Sequence, residues 1–226
     1  MREQEVSAVC AEMRRIMKEF RIAHMVVGQV ATNCYLLYNN ETRKTIMVDP
    51  PEQGARLYET LKQNQLELEA ILLTHGHFDH IGGVNELRKL AEVPVYIYSG
   101  EADLAESASL NCSNAMSRSI SVKADKTVED GETLQFPDMP EIKVIHTPGH
   151  TAGSVCYYLE SEGILICGDT LFQESVGRTD LPTGSQSALV KSVREKLFVL
   201  PDEVIVYPGH GDETTIGFEK MNNPYV

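Results

Sequence analysis

The stretch AILLTHGHFDH, residues 70–80, decides how the chain is read. Its first four residues are wholly apolar, as in a short strand buried on both faces. Thr74-His75-Gly76-His77-Phe78-Asp79-His80 follows, with three histidines and an aspartate close together. Only seven histidines occur in 226 residues, so chance rarely assembles H-x-H-x-D-H. The segment runs into Ile81, Val84, Leu87 and Ala91, spaced as one face of a helix. Ligands of α/β sheets bind beyond the carboxyl ends of strands, and this cluster falls there. Alternate residues of an extended stretch point the same way, so His75 and His77 suit one metal ion. As the chain turns into the helix, Asp79 and His80 turn toward a second position. Imidazole and carboxylate donors suit zinc, and also iron or manganese.

Three later segments repeat this placement. His150 follows a strand at 142–146, in Thr147-Pro148-Gly149-His150-Thr151. Asp169 follows a strand at 164–167, in Gly168-Asp169-Thr170, and His210 follows one at 204–207, in Pro208-Gly209-His210-Gly211. The glycines permit tight turns and close backbone approach. Each segment alone is weak. Together with the first cluster they offer five histidines and two aspartates, enough for two ions.

The remainder bounds the class. A chain 42% hydrophobic and 23% charged has the composition of a folded domain rather than a disordered one. It has no apolar run long enough for a membrane span. A net charge of -13 disfavours nucleic acid and anionic membranes as partners. Five cysteines, an odd count without a C-x-x-C pair, do not form a disulfide framework or a zinc knuckle. The expected compartment is reducing, with the cytoplasm as default, because the N-terminus lacks the apolar stretch of a secretory signal. Val6, Val9, Met13, Ile16, Met17 and Phe20 recur at steps of three and four. They predict an amphipathic helical extension over residues 1–20, ahead of one domain at 21–226. Its apolar face fits packing on the main body or a contact in a homo-oligomer, a poorly ordered extension ahead of Met17 is the third reading, and the sequence leaves all three open.

Strands at 21–28, 33–38 and 45–48 come in hairpin-like succession. Later strands at 70–73, 95–98, 132–136, 142–146, 154–159, 164–167 and 204–207 are interspersed with helices at 54–63, 81–91 and 185–200. The pattern predicts a mixed α/β domain with helices outside. Residues 99–128, polar and rich in small residues, are expected to cover a site.

T-H-x-H-x-D-H, T-P-G-H-T, G-D-T and P-G-H-G, in this order, resemble the metallo-β-lactamase superfamily. The branch most similar is glyoxalase II, the hydroxyacylglutathione hydrolases. The resemblance runs from about Met25 onward and includes Thr32-Asn33-Cys34-Tyr35. It implies an αββα sandwich of two mixed sheets with the metals at one edge, and a hydroxide between two Zn2+ ions, with Fe2+ or mixed Zn/Fe/Mn as the alternative. By motif, His75, His77 and His150 would hold one ion, Asp79, His80 and His210 the other, and Asp169 would bridge. Asp79 and Asp169 are the implied catalytic carboxylates. Gly76 stands where glyoxalase II usually has a histidine, at a position pointing away from the metals. Only sixteen residues follow His210, so the C-terminal helical domain that binds glutathione in full-length glyoxalase II is not expected.

In Gly177-Arg178-Thr179-Asp180, Arg178 suits bidentate pairing with a substrate carboxylate or an internal ion pair with Asp180. Similar segments occur in short glyoxalase II-like proteins and in persulfide dioxygenases. His146 and His24 are expected to be structural. Cys34 and Cys167 are expected in the core rather than as nucleophiles, and no serine motif supports a triad. The leading expectation is a dinuclear zinc hydrolase of a small acyl-thioester such as S-D-lactoylglutathione. A thiol leaves with a pKa of about 8.5 and scarcely needs a general acid. The alternatives are a mononuclear iron persulfide dioxygenase using His75, His150 and Asp169, and a catalytically silent metal-binding module. With no export signal visible, a β-lactamase is disfavoured, and the charge disfavours the nuclease branches.

Overall fold

The structure, a computed structural model, describes residues 19–226. β1 (Phe20–Val27), β2 (Thr32–Asn39) and β3 (Lys44–Val48) form an antiparallel meander, in register from Phe20↔Asn39 to Val27↔Thr32. The β2–β3 turn is closed by Asn39, whose Oδ1 accepts from the Glu41 and Thr42 amides. From β3 the pairing becomes parallel. The chain passes through α1 (Gly54–Gln63) to β4 (Glu67–Leu72), and through α2 (Phe78–Ile81) and α3 (Val84–Ala91) to β5 (Val95–Tyr98). After α4 (Ala102–Glu106), β6 (Lys126–Val128) completes a six-stranded sheet in chain order.

The second sheet begins with β7 (Thr133–Leu134), β8 (Ile142–His146), β9 (Val155–Leu159) and β10 (Ile164–Gly168), all antiparallel neighbours. A small hairpin, β11 (Leu171–Phe172) and β12 (Ser175–Val176), precedes α5 (Gln186–Ser192). The crossover returns to β13 (Ile205–Pro208), parallel to β10, and β14 (Thr214–Thr215) leads into α6 (Ile216–Asn222). The order is β14-β13-β10-β9-β8-β7.

Period-two alternation of two-sided strands creates the layers. On β2, Tyr35 and Leu37 join Ile46, Leu72, Val144, Tyr157 and Ile166 in the core between the sheets. Cys34 and Leu36 face the other way, toward Leu57 and Leu61 of α1 and Val84 and Leu87 of α3. The outer face of the second sheet buries Cys156, Leu165 and Val206 against Val193, Leu197 and Ile216. The result is the four-layer αββα sandwich of two mixed sheets.

Some elements differ from expectation. The helix expected at 81–91 is split into α2 and α3 at Gly82-Gly83, because the Pro50-Pro51 turn packs there: a Cβ on Gly82 would lie 2.2 Å from the Pro51 carbonyl oxygen. The helix expected at 185–200 starts under a Ser185 cap and widens after Ser192 into a π-helical turn, Val193–Leu197. The helix expected over residues 1–20 lies outside the described residues except at its end, where Phe20 opens β1. Among the described residues no helix is long and apolar enough to cross a membrane.

The inter-sheet core governs stability. Leu37→Ala, at a fully buried site, should cost about 2–5 kcal/mol in urea denaturation. Leu90→Ala, 43% exposed, should stay within about 0.5 kcal/mol.

Candidate metal centre

The carboxyl ends of four strands meet at one edge. β4 leads into His75 and His77 and then α2 with Asp79 and His80. β8 leads to His150, β10 to Asp169 and β13 to His210. Main-chain bonds stitch these ends together: Val155 N to Thr74 O (2.9 Å), Gly209 N to Gly168 O (2.8 Å) and Asn33 N to Gly209 O (2.8 Å). The Thr32-Asn33-Cys34-Tyr35 segment also holds the His210 loop. The Asn33 amide donates to the Pro208 and Gly211 carbonyls (3.0 and 2.9 Å), the Tyr35 hydroxyl to Pro208 O (2.6 Å), and the Thr32 hydroxyl to Asp79 Oδ2 (3.2 Å).

All seven residues singled out by motif converge. His75, His77 and His150 each offer a donor atom within 4.8 Å of the others, as do Asp79, His80 and His210. His77 Nδ1 lies 2.8 Å from His150 Nε2, and His210 Nε2 lies 3.2 Å from Asp79 Oδ2. Asp169 reaches both sets, with Oδ1 3.4 Å from His80 Nε2, and Oδ2 3.5 Å from His150 Nε2 and 3.6 Å from His210 Nε2. Four of the buried atoms make no hydrogen bond: Nε2 of His75, His77 and His80, and Oδ1 of Asp169. Such groups are costly unless something else satisfies them. A nitrogen-and-carboxylate set this close, with the facing atoms of His75, His80 and Asp169 unbonded, fits divalent metal ions.

The outer ring nitrogens explain the orientation. His80 Nδ1 lies 2.9 Å from Asp49 Oδ2. His75 Nδ1 lies 3.1 Å from Thr74 Oγ1, which donates to Asp49 Oδ2 (2.6 Å), while Thr74 N donates to Asp49 Oδ1 (2.8 Å). His150 Nδ1 donates to the Arg178 carbonyl (2.8 Å), and His210 Nδ1 to the Ala31 carbonyl (3.3 Å). An outer N–H bonded in this way leaves the inner Nε2 lone pair aimed at the centre. Asp49, which also clusters with His75 and His80, has its oxygens taken by Thr74 and His80 and acts as their support. Reasoning from the sequence missed it. Its one signal was its place directly after a strand, in Val48-Asp49-Pro50.

The electrostatics divide the centre. Burial, reinforced by neighbouring imidazoles, drops the His75 pKa well below the ordinary range and the His77 pKa to about 3. Burial also acts against charge on His80, but Asp79, Asp169 and Asp49 reverse it and hold that ring well above the ordinary value. His210 is raised too, burial being outweighed by Asp79 and Asp169. Burial acts against ionisation of Asp79 and Asp169, yet His80 above all pulls both below the usual carboxylate range.

The centre forms the floor of a cavity of about 600 Å³. Its walls are mostly apolar: Val30, Phe78, Ala115, Met116, Phe172 and Leu181. Cys112, Ala115 and Met116 come from the 99–128 segment, which does cover the site. Arg178 lines the cavity, but its guanidinium is paired bidentately with Asp180 (2.7 and 2.8 Å). His146 stacks on Tyr98, centroids 4.3 Å apart, and bonds to the Ala152 carbonyl. Cys34 and Cys167 are core residues whose thiol pKa values are pushed up by burial.

The sequence model of the Metallo-beta-lactamase superfamily matches residues 27–210, and the chain belongs to that superfamily of metallo-hydrolases. It is 40% identical over 206 residues to a probable metallo-hydrolase, YqgX, of Bacillus subtilis, spanning 89% of this chain and 95% of the relative. It is 35% identical over 198 residues to the hydroxyacylglutathione hydrolase GloC of Haemophilus influenzae, spanning 86% and 92%. Among solved structures, the B3 metallo-beta-lactamase BLEG-1 matches with a TM-score of 0.86 at 40% identity, covering 91% of this chain and 99% of that one. TTHA1623 in a di-iron-bound form matches at 0.81 and 34%, covering 90% and 100%. ETHE1 from Myxococcus xanthus matches at 0.75 and 29%, covering 90% and 83%.

Two outcomes follow from this geometry. A Cβ on Gly209 would lie 2.1 Å from Asp169 Oδ1 and 2.8 Å from His80 Cε1, so Gly209→Ala should displace Asp169 and weaken metal uptake at least about 10-fold, as read by titration against a chelator. His80 and His210, raised above the ordinary histidine value by the neighbouring carboxylates, hold protons more tightly than free imidazole, and an arriving cation must displace them. Metal loading should therefore release protons, seen as buffer-dependent heats in calorimetry, and affinity should rise as pH climbs above that value.

Proposed function

We propose that the protein is a dinuclear zinc hydrolase of small acyl-thioesters, with S-D-lactoylglutathione as the first substrate to test. The observation that carries this reading is the set of buried, unbonded atoms on His75, His80 and Asp169, grouped with His77, Asp79, His150 and His210, which together with Asp169 line a single cavity. His75, His77 and His150 would hold one ion, Asp79, His80 and His210 the other, and Asp169 would serve both. When bound, such ions bring the pKa of water toward about 7 and polarise a carbonyl.

The chain's own residues do the rest. Asp79 and Asp169, both held ionised, present acceptor oxygens that orient the hydrogens of an attacking water. The apolar walls seat the acyl and thiol groups and exclude bulk solvent. Apart from the ligand residues, the lining carries no ordinary acid, only the Cys112 thiol, which burial pushes up, and Arg178. A thiol leaving group, with its pKa of about 8.5, departs without one. Arg178 would meet a substrate carboxylate by exchanging it for Asp180. The four described cysteines are free, which supports a reducing, cytoplasmic setting. The hydroxyacylglutathione hydrolase GloC supports the thioester choice by likeness. The likeness to ETHE1 keeps one rival, a mononuclear iron persulfide dioxygenase using His75, His150 and Asp169.

Protein expressed with zinc and iron both supplied should carry two zinc ions per chain and hydrolyse thioesters. Asp169→Asn and His75→Ala should each lower kcat/KM by about 10²-fold or more with an unchanged circular dichroism spectrum. One iron per chain, with oxygen uptake on glutathione persulfide, would overturn the reading in favour of the dioxygenase. Faster turnover of a cephalosporin than of any thioester would overturn the substrate class.

A further inference from the structure

Glu101 is a carboxylate that no motif singles out. It is 1% exposed and lies at the end of the short 3₁₀ turn Ser99–Glu101 that follows β5. Its Oε1 accepts from the Gly76 amide (3.0 Å) and its Oε2 from the Gly153 amide (2.9 Å). The nearby Thr151 hydroxyl also favours its ionised form. Gly76 sits between His75 and His77, and Thr151 directly follows His150. The carboxylate therefore spans two loops, 74–77 after β4 and 147–154 after β8, which supply the three-histidine set.

The glycines at both contacts fit this role. Neither Gly76 nor Gly153 has a positive φ, so backbone conformation does not call for glycine at either place. Close approach does. A Cβ on Gly153 would lie 2.5 Å from Glu101 Oε2 and 2.7 Å from Glu101 Cβ, and one on Gly76 would lie 2.9 Å from the Ala105 nitrogen of α4. Burial raises the Glu101 pKa to about 7 against hydrogen bonds that favour the ionised form. A merely space-filling residue would carry no such cost.

The geometry points to Glu101 as a positioning residue that fixes the distance between the His75–His77 loop and His150, and so sets the affinity of the three-histidine metal position. This role rests on the metal-centre reading above. It is selective: among the described contacts, Glu101 bonds to no residue of the Asp79–His80–His210 set.

The test is zinc titration of the full chain by chelator competition. His75→Ala and His210→Ala identify which of the two stepwise dissociation constants belongs to which position. Glu101→Gln keeps the volume but presents an NH2 group to one of the two amides. It should weaken the His75-dependent constant about 10- to 100-fold and leave the His210-dependent constant within about threefold. Gly153→Ala, which pushes the carboxylate away from the other side, should give the same selective loss and serves if Glu101→Gln does not fold. A merely structural role would instead lower the thermal stability of the metal-free protein and weaken both constants alike, and that result would overturn the proposal. So would unchanged constants in both variants. Wild-type protein that binds no zinc, iron or manganese would overturn the metal-centre reading, and this role with it.

Discussion

Seven side chains have to bring nitrogen and oxygen donors within 2.8–3.6 Å of one another, close enough that His77 Nδ1 and His150 Nε2 already share a hydrogen bond. Unsupported imidazoles would rotate and pair with the nearest carboxylate. Here the outer nitrogens of His75, His80, His150 and His210 are occupied by Thr74, Asp49 and two main-chain carbonyls, which hold the inner lone pairs toward the centre. Such convergence is costly in a folded chain left to itself, and a bound cation reverses the sign. Metal binding and stability are therefore one linked quantity in this protein.

The sandwich makes that convergence possible. Each sheet contributes strand ends to the same edge: β4 from one, β8, β10 and β13 from the other. Their separation is set by the packed core between the sheets, where Leu37, Leu72, Tyr157 and Ile166 have almost no exposed surface. The Tyr157 hydroxyl, which donates to the Leu73 carbonyl at 2.8 Å, crosses from one sheet to the other just below the histidines. Rigidity at the floor thus comes from apolar packing beneath it, while the walls come from loops and a two-strand hairpin. That division places tightly positioned donors on strands and adaptable contacts on connections.

The parts legible in the sequence are those where chemistry and spacing coincide locally. His75, His77, Asp79 and His80 lie within one turn of chain, and His150, Asp169 and His210 each follow an apolar strand. Asp49 and Glu101 escaped that reading because their partners are 25 to 52 residues away and are partly main-chain amides, which no residue pattern announces. Arg178 shows the same blindness from the other side. Its side chain drew attention, but its carbonyl is what anchors His150. The long strands were readable as two-sided apolar runs, whereas the two-residue strands β11, β12 and β14 are too short to show a period. The break between α2 and α3 depended on a tertiary contact of Gly82 with the Pro51 carbonyl.

The charged floor and the apolar walls answer different questions. The floor offers nitrogen and carboxylate donors suited to divalent metal ions. A fold and floor of this kind serve more than one chemistry, as the names of the similar proteins indicate. Discrimination must therefore come from Val30, Met116, Phe172, Leu181 and Arg178. Arg178 is the only lysine or arginine among the cavity-lining residues, and Asp180 already neutralises it. A ligand carboxylate gains from Arg178 only the difference between two similar bidentate pairs at an exposed position, which is small. Shape and apolar contact therefore dominate selection in this cavity.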